Sequence, residues 1–228
     1  MLFNSLEYLF CFIPLVFIVY FALNKLKFYN ASKIFLLCAS LYFYGSYKWD
    51  YVYIIIVSIL FNYGVSLIFK KDLKQSVKKA VLISALIGDI GILIFFKYFS
   101  FLAQALSGID FTYLNTIKII MPLGISFFII QQISYIIDCY KDRIKETSFI
   151  DYSLFVCFFP QLIAGPIVRH SEMIPQFNNI KNKFINQENI YTGLFLITAG
   201  LLKKTVLADG FAPFIKLMTE NALFDNFY

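Results

Sequence analysis

MPLGISFFIIQQISYIIDCY, residues 121–140, decides how this chain is to be read. The run is apolar enough to sit in a bilayer. Yet Gln131, Ser134, Tyr135 and Asp138 recur at i, i+3, i+4 and i+7, which is one face of an α-helix. Ile129, Ile130, Ile133, Ile136 and Ile137 cover the remaining surface. Polar side chains at membrane depth are costly and turn toward a protein interior or a wet cavity. The stripe therefore predicts a helix that lines something. Pattern alone leaves two readings open: a cavity wall, or interhelical hydrogen-bond glue.

Composition agrees with a membrane setting. Of 228 residues, 60% are hydrophobic and only 15% are charged, against about 25% charged in soluble domains. A spanning helix needs about 20 mainly apolar residues. The apolar runs are Leu6–Leu23, Lys33–Tyr47, Tyr51–Phe69, Ala80–Phe96, Ile117–Ile137, Ile150–Ile163 and Tyr191–Leu207. They predict an all-α, polytopic bundle of six or seven membrane segments within a single membrane domain, residues 1–228. No soluble domain, linker or internal repeat stands out. The N-terminus carries Glu7 as its first charge and no small-residue cleavage site, so Leu6–Leu23 reads as a retained helix and not a signal peptide.

The net charge of +6 is spread between the apolar runs, as membrane-flanking lysines are. There is no basic patch interleaved with exposed aromatics and no glycine-rich phosphate loop, so nucleic acid is not an expected partner; the lipid bilayer is. Lys25, Lys27 and Lys33 follow the first run, the KKDLKQSVKK loop (residues 70–79) the third, and Lys141, Arg143 and Lys145 the fifth. Lys48 and Lys97 alone follow the second and fourth. The positive-inside rule then puts the N-terminus outside. Ile150–Ile163 breaks the alternation unless it does not cross. It has 14 residues, contains Pro160 and ends at Gly165-Pro166. A proline-broken segment of that length suits a re-entrant or buried element.

Few residues offer chemistry. Asp89, inside LIGDIGILIFF, is either functional or a helix-packing hydrogen bond eased by Gly88 and Gly91. His170 is the only histidine, and in a polar loop it reads as solvated. Cys11, Cys38, Cys139 and Cys157 form no C-x-x-C pair and read as small buried hydrophobes. No metal-ligand cluster, Ser-His-Asp set or carboxylate pair can be assembled, so no metal site is expected.

Several segments together resemble the membrane-bound O-acyltransferase family. PLGISFFIIQQISYIIDCY (residues 122–140) is similar to its P-x-G-I-S-F…S-Y-x-x-D-x-Y signature, and FFPQLIAGPIVR (Phe158–Arg169) to its F-P-x-L-I-A-G-P-x-x-R segment. FFKYFSF (Phe95–Phe101), GLLKKTVLAD (Gly200–Asp209) and the opening MLFNSLEYLFCFIPL also look like the family, in its order. The wording is nearest to the alginate O-acetylation branch; a D-alanyl-transfer relative is the neighbouring alternative.

The resemblance implies a bacterial plasma-membrane enzyme about twice this length. Such an enzyme would move an acyl group, usually acetyl, from acetyl-CoA or another thioester to an extracellular or cell-wall polysaccharide, with an extracytoplasmic SGNH-type partner. It holds no bound cofactor. On that reading Gln131, Ser134, Tyr135, Asp138 and Asp89 line the substrate path. Pro160, Gly165 and Pro166 make a structural break beside it, and Arg169 meets phosphate. The family's catalytic histidine belongs to a W-R-x-W-H-type motif that these residues do not contain. It is expected beyond residue 228, so the chain alone is expected to be inactive, as the N-terminal half of the enzyme. Without that histidine, a non-enzymatic transporter or flippase component is the competing class.

Overall fold

The computed structural model describes residues 3, 5–106, 122–144, 148–163, 165–166 and 168–220, with the side chains of 99–106 and 216–220 left undescribed. Gly108 and Asp110, which as turn residues predict a break between the fourth and fifth apolar runs, lie outside these residues. The described chain is helical, with no strand. The helices are α1 Glu7–Lys25, α2 Tyr29–Gly45, α3 Asp50–Phe69, α4 Gln75–Leu106, α5 Ile125–Tyr140, α6 Phe149–Cys157, α7 Phe159–Leu162, α8 His170–Asn178, α9 Gln187–Leu202 and α10 Asp209–Glu220.

Local chemistry sets several boundaries. Pro14 lies in α1, where it lacks an N–H and its ring crowds the preceding turn. The helix accommodates it by opening with a widened π turn, Glu7–Phe12. Ser148 caps α6 by accepting a hydrogen bond from the Asp151 N–H at 3.1 Å, and Asn186 caps α9 through the Glu188 N–H at 2.9 Å. Each satisfies a donor that a helix start otherwise leaves open.

Among the described residues four helices are long and apolar enough to cross a membrane: Glu7–Lys25, Asp50–Phe69, Gln75–Tyr98 and Gln187–Ile215. The 16 residues of α5 form a shorter apolar helix. The fold is that of a multi-pass helical membrane protein.

The short α6 sits at the centre, against α2, α3, α5, α7 and α8. Its residues Asp151–Cys157 are all buried. Nine residues rise only about 14 Å, half of the roughly 30 Å hydrocarbon core. This is the short buried element that the proline and the length of Ile150–Ile163 implied. The chain breaks at Phe158 (φ −52°, ψ 112°) because Pro160 opens α7 and cannot continue α6. The Phe159 N–H at the break donates to the Ser40 hydroxyl at 3.3 Å, and that hydroxyl donates to the Leu36 carbonyl at 2.7 Å.

One core joins α2–α6 and α8 around Ile55, Phe128, Ile129, Ile136 and Phe155. A second, aromatic core locks α1 to α2 and α7. There the Tyr8, Phe12, Phe43 and Phe159 rings pack with centroids between 5.2 and 6.2 Å. By contrast no described residue of α9 is buried.

Candidate functional site

The two motifs that frame the family resemblance meet in space. Gly124 precedes α5 with φ +73°, and a Cβ there would lie 2.3 Å from the Leu162 carbonyl oxygen at the end of α7. The Tyr44 hydroxyl donates to the Leu123 carbonyl at 2.9 Å, which holds the same loop from α2. Gly165 is as tight: its Cβ would fall 2.3 Å from the Gln161 Cα. Glycines are required at these two points because backbone packs on backbone. Pro160 stands in α7, and the exposed Pro166 follows Gly165.

This junction fixes α5, and α5 forms one wall of a cleft of about 1000 Å³. Lys70, Asp72 and Lys78 of the basic loop region line it, as does Asp142. Tyr135, Cys139 and Asp151 lie on its walls. The cleft thus joins mixed surface charge to aromatic and apolar walls, a form suited to an amphiphilic ligand.

A buried ion pair braces the cleft. Lys33 Nζ lies 2.6 Å from Asp151 Oδ1 and donates to Asn178 Oδ1 at 2.5 Å. That node ties α2, α6 and α8 together. Lys183 caps the same end by resting over the Tyr29 ring, 4.1 Å from its centroid.

The stripe that opened the sequence reading is divided among neighbours. Tyr135 is buried, packs tilted against Tyr152 with ring centroids 4.3 Å apart, and lines the cleft. Gln131 is buried, and Ser134 is half-buried. Asp138 is buried and pairs with Arg143 at 3.1 Å. Asp89 is not among the groups at the cleft: it meets Asn62 of α3 at 2.9 Å. Arg169 is exposed at the start of α8.

His170 departs from the solvated loop residue expected of it. It is the first residue of α8, buried, with Tyr135 at 5.0 Å and Phe155 at 5.3 Å between ring centroids. The Tyr135 and Phe155 contacts remove it from water. Burial pushes its pKa down to about 4, against an opposing pull from Asp151 and Asp138. Because the folded pKa lies below the unfolded value near 6.5, the unfolded chain binds the extra proton between them. Stability is then full above about pH 6.5 and falls as pH drops toward 4. Replacing His170 with Phe should remove on the order of 2 kcal/mol of that acid sensitivity. Thermal unfolding in detergent between pH 7 and pH 4 measures it, and parallel wild-type and variant profiles refute it.

The cysteines are all free. Cys139 and Cys157 are buried as expected, whereas Cys11 and Cys38 are exposed on the outer faces of α1 and α2, where a small apolar side chain is compatible with lipid. Among the described residues no group of three or more His, Cys, Asp or Glu could hold a metal.

Sequence reasoning missed Lys33–Asp151, which pairs residues far apart in the chain. It also missed Ser58, Asn62 and Ser66, all buried on α3. Their spacing of four is a polar helical stripe inside Tyr51–Phe69 and was available as a signal.

Residues 125–223 match the membrane-bound O-acyltransferase family. A peptidoglycan O-acetyltransferase of Helicobacter pylori is 40% identical over 240 residues, covering 94% of this chain and 46% of that protein. Probable alginate O-acetylases AlgI of Azotobacter vinelandii and Pseudomonas aeruginosa are 31% and 32% identical, covering 93% of this chain and 42% and 41% of theirs. The chain spans less than half the length of these curated relatives. No solved structure matches it. The chain thus carries a stretch that matches the membrane-bound O-acyltransferase family, and it is similar to O-acetyltransferases over nearly all its length.

Proposed function

We propose that this chain supplies part of a membrane O-acyltransferase that carries an acyl group, acetyl in the first instance, for O-acetylation of an extracellular or cell-wall polysaccharide. The observation that carries the reading is identity of 31–40% to O-acetyltransferases and O-acetylases over 93–94% of the chain. The higher identity to the peptidoglycan enzyme supports a cell-wall glycan as acceptor. On this reading the N-terminus faces outward and the Lys70–Lys79 end of the bundle faces the cytoplasm. The cleft beside Tyr135 then opens toward a cytoplasmic thioester donor. A W-R-x-W-H-type histidine outside these 228 residues supplies the general base, and an extracytoplasmic SGNH-type partner completes transfer to the glycan. The 228 residues alone are inactive.

The test is complementation in a bacterium that lacks its own O-acetyltransferase. The chain is expressed alone, and with a family segment that carries the histidine motif, and ester-linked acetate on the purified cell wall is measured. Acetate is expected only with both pieces and with the partner present. Histidine-independent movement of substrate, with no acetate in any arm, would favour a transporter. In the active assembly Asp138→Asn and Gln131→Leu should lower transfer while leaving membrane insertion intact; unchanged transfer in both would make the stripe packing glue.

A further inference from the structure

A polar cluster at the junction of four helices is used by neither the cleft nor the ion pair. Ser58 and Asn62 come from α3, Asp89 from α4, Gln132 from α5 and Tyr152 from α6. All five are 2% exposed or less. Gln132 Oε1 is its centre. It accepts from the Ser58 hydroxyl at 3.0 Å, from the Tyr152 hydroxyl at 3.4 Å and from the Asn62 amide. The Asn62 amide also donates to Asp89 Oδ1 at 2.9 Å.

Three atoms of the cluster stay open: Asn62 Oδ1, Asp89 Oδ2 and Gln132 Nε2. Each shares its terminal carbon with an atom already bonded inside the cluster, so the three lie in one small neighbourhood at the helix junction. A buried open valence is costly, and three in one neighbourhood call for a common partner. The set is two acceptors and one donor. A metal cation would meet the oxygens and oppose the Gln132 amide. An anion would meet that amide and be repelled by Asp89. A water molecule donates twice and accepts, which matches all three, and buried waters typically make about three such bonds.

We propose that Asn62 Oδ1, Asp89 Oδ2 and Gln132 Nε2 form a binding site for one enclosed water molecule between α3, α4 and α5. That water adds to the direct hydrogen bonds that Asn62 already makes to Asp89 and Gln132 across the same helices. Through Gln132 and Tyr152 it lies behind the Tyr135 ring that lines the cleft.

Radiolytic hydroxyl labelling of the whole chain in lipid nanodiscs, in ¹⁸O water, tests the site. A radical made from an enclosed water oxidises the nearest side chain even where bulk solvent does not reach. Tyr152 is expected to take up ¹⁸O several-fold faster than Tyr44, which is equally buried but bonded to a backbone carbonyl. Gln132→Leu should lower Tyr152 labelling to the Tyr44 level, with labelling of exposed residues unchanged. Equal, slow labelling of Tyr152 and Tyr44 in the wild-type chain overturns the proposal, and that comparison needs no variant to fold.

Discussion

Replacing Asp151 with Asn is expected to lower the stability of the folded chain by about 3–5 kcal/mol, because it leaves the buried Lys33 ammonium without its countercharge. Lys33 and Asp151 are both below a tenth exposed, and their contact is 2.6 Å. The Asn178 oxygen can still accept one Lys33 proton, but a neutral amide does not offset the charge. For a chain of this size the loss corresponds to a fall in Tm of roughly 10 °C. The double variant Lys33→Met/Asp151→Leu removes both charges and fills the space with apolar atoms, so it should recover most of the loss. Thermal unfolding of the purified protein in one detergent measures all three. A single variant within 1 kcal/mol of wild type, or a double variant worse than the single, sinks this account. Asp151 also lines the cleft, so the double variant further separates stability from any effect on transfer.

The second large effect is at Gly124. Alanine there meets two penalties. The left-handed conformation at φ +73° costs a residue with a Cβ about 1–2 kcal/mol. The new methyl would also sit 2.3 Å from the Leu162 carbonyl oxygen. That atom belongs to backbone and cannot rotate away, so α5 and α7 must separate, at about 1–3 kcal/mol. Gly124→Ala should therefore lose about 3 kcal/mol and loosen the junction that positions Tyr135. Gly193→Ala is the matched control. Gly193 is in the middle of α9 with nothing within 4 Å of its Cβ position, so alanine should be neutral or slightly stabilising. Equal effects at the two glycines would show that backbone contact between the motifs does not hold the bundle.

These two sites show what kind of information the sequence carries. Pro160 and the brevity of Ile150–Ile163 announce a helix that cannot span a bilayer, and α6 is such a helix at the centre of the bundle. The glycines of PLGIS and IAGP announce tight backbone, but not that Gly124 presses on Leu162 from the other motif. Asp89 announces a buried polar group, but its partner is α3, through Asn62. On α5 the adjacent residue, Gln132, completes that cluster, and Gln131 lies elsewhere.

The sequence by itself determined the all-helical membrane architecture, the family resemblance, and the broken segment near the core. Each follows from hydrophobic run length, from helical periodicity, or from proline and glycine backbone chemistry, which act within one stretch of chain. Only the tertiary structure decided the partners. Periodicity says which face of a helix is polar and is silent on what that face meets. The Lys33–Asp151 ion pair, the burial of His170 between Tyr135 and Phe155, and the division of the α5 stripe depend on how helices distant in sequence come to lie side by side. The stripe at residues 121–140 was legible as a polar face. That Tyr135 lines the cleft and Gln131, Ser134 and Asp138 do not, with Asp138 turned to Arg143, was set by packing against α3, α6 and α8.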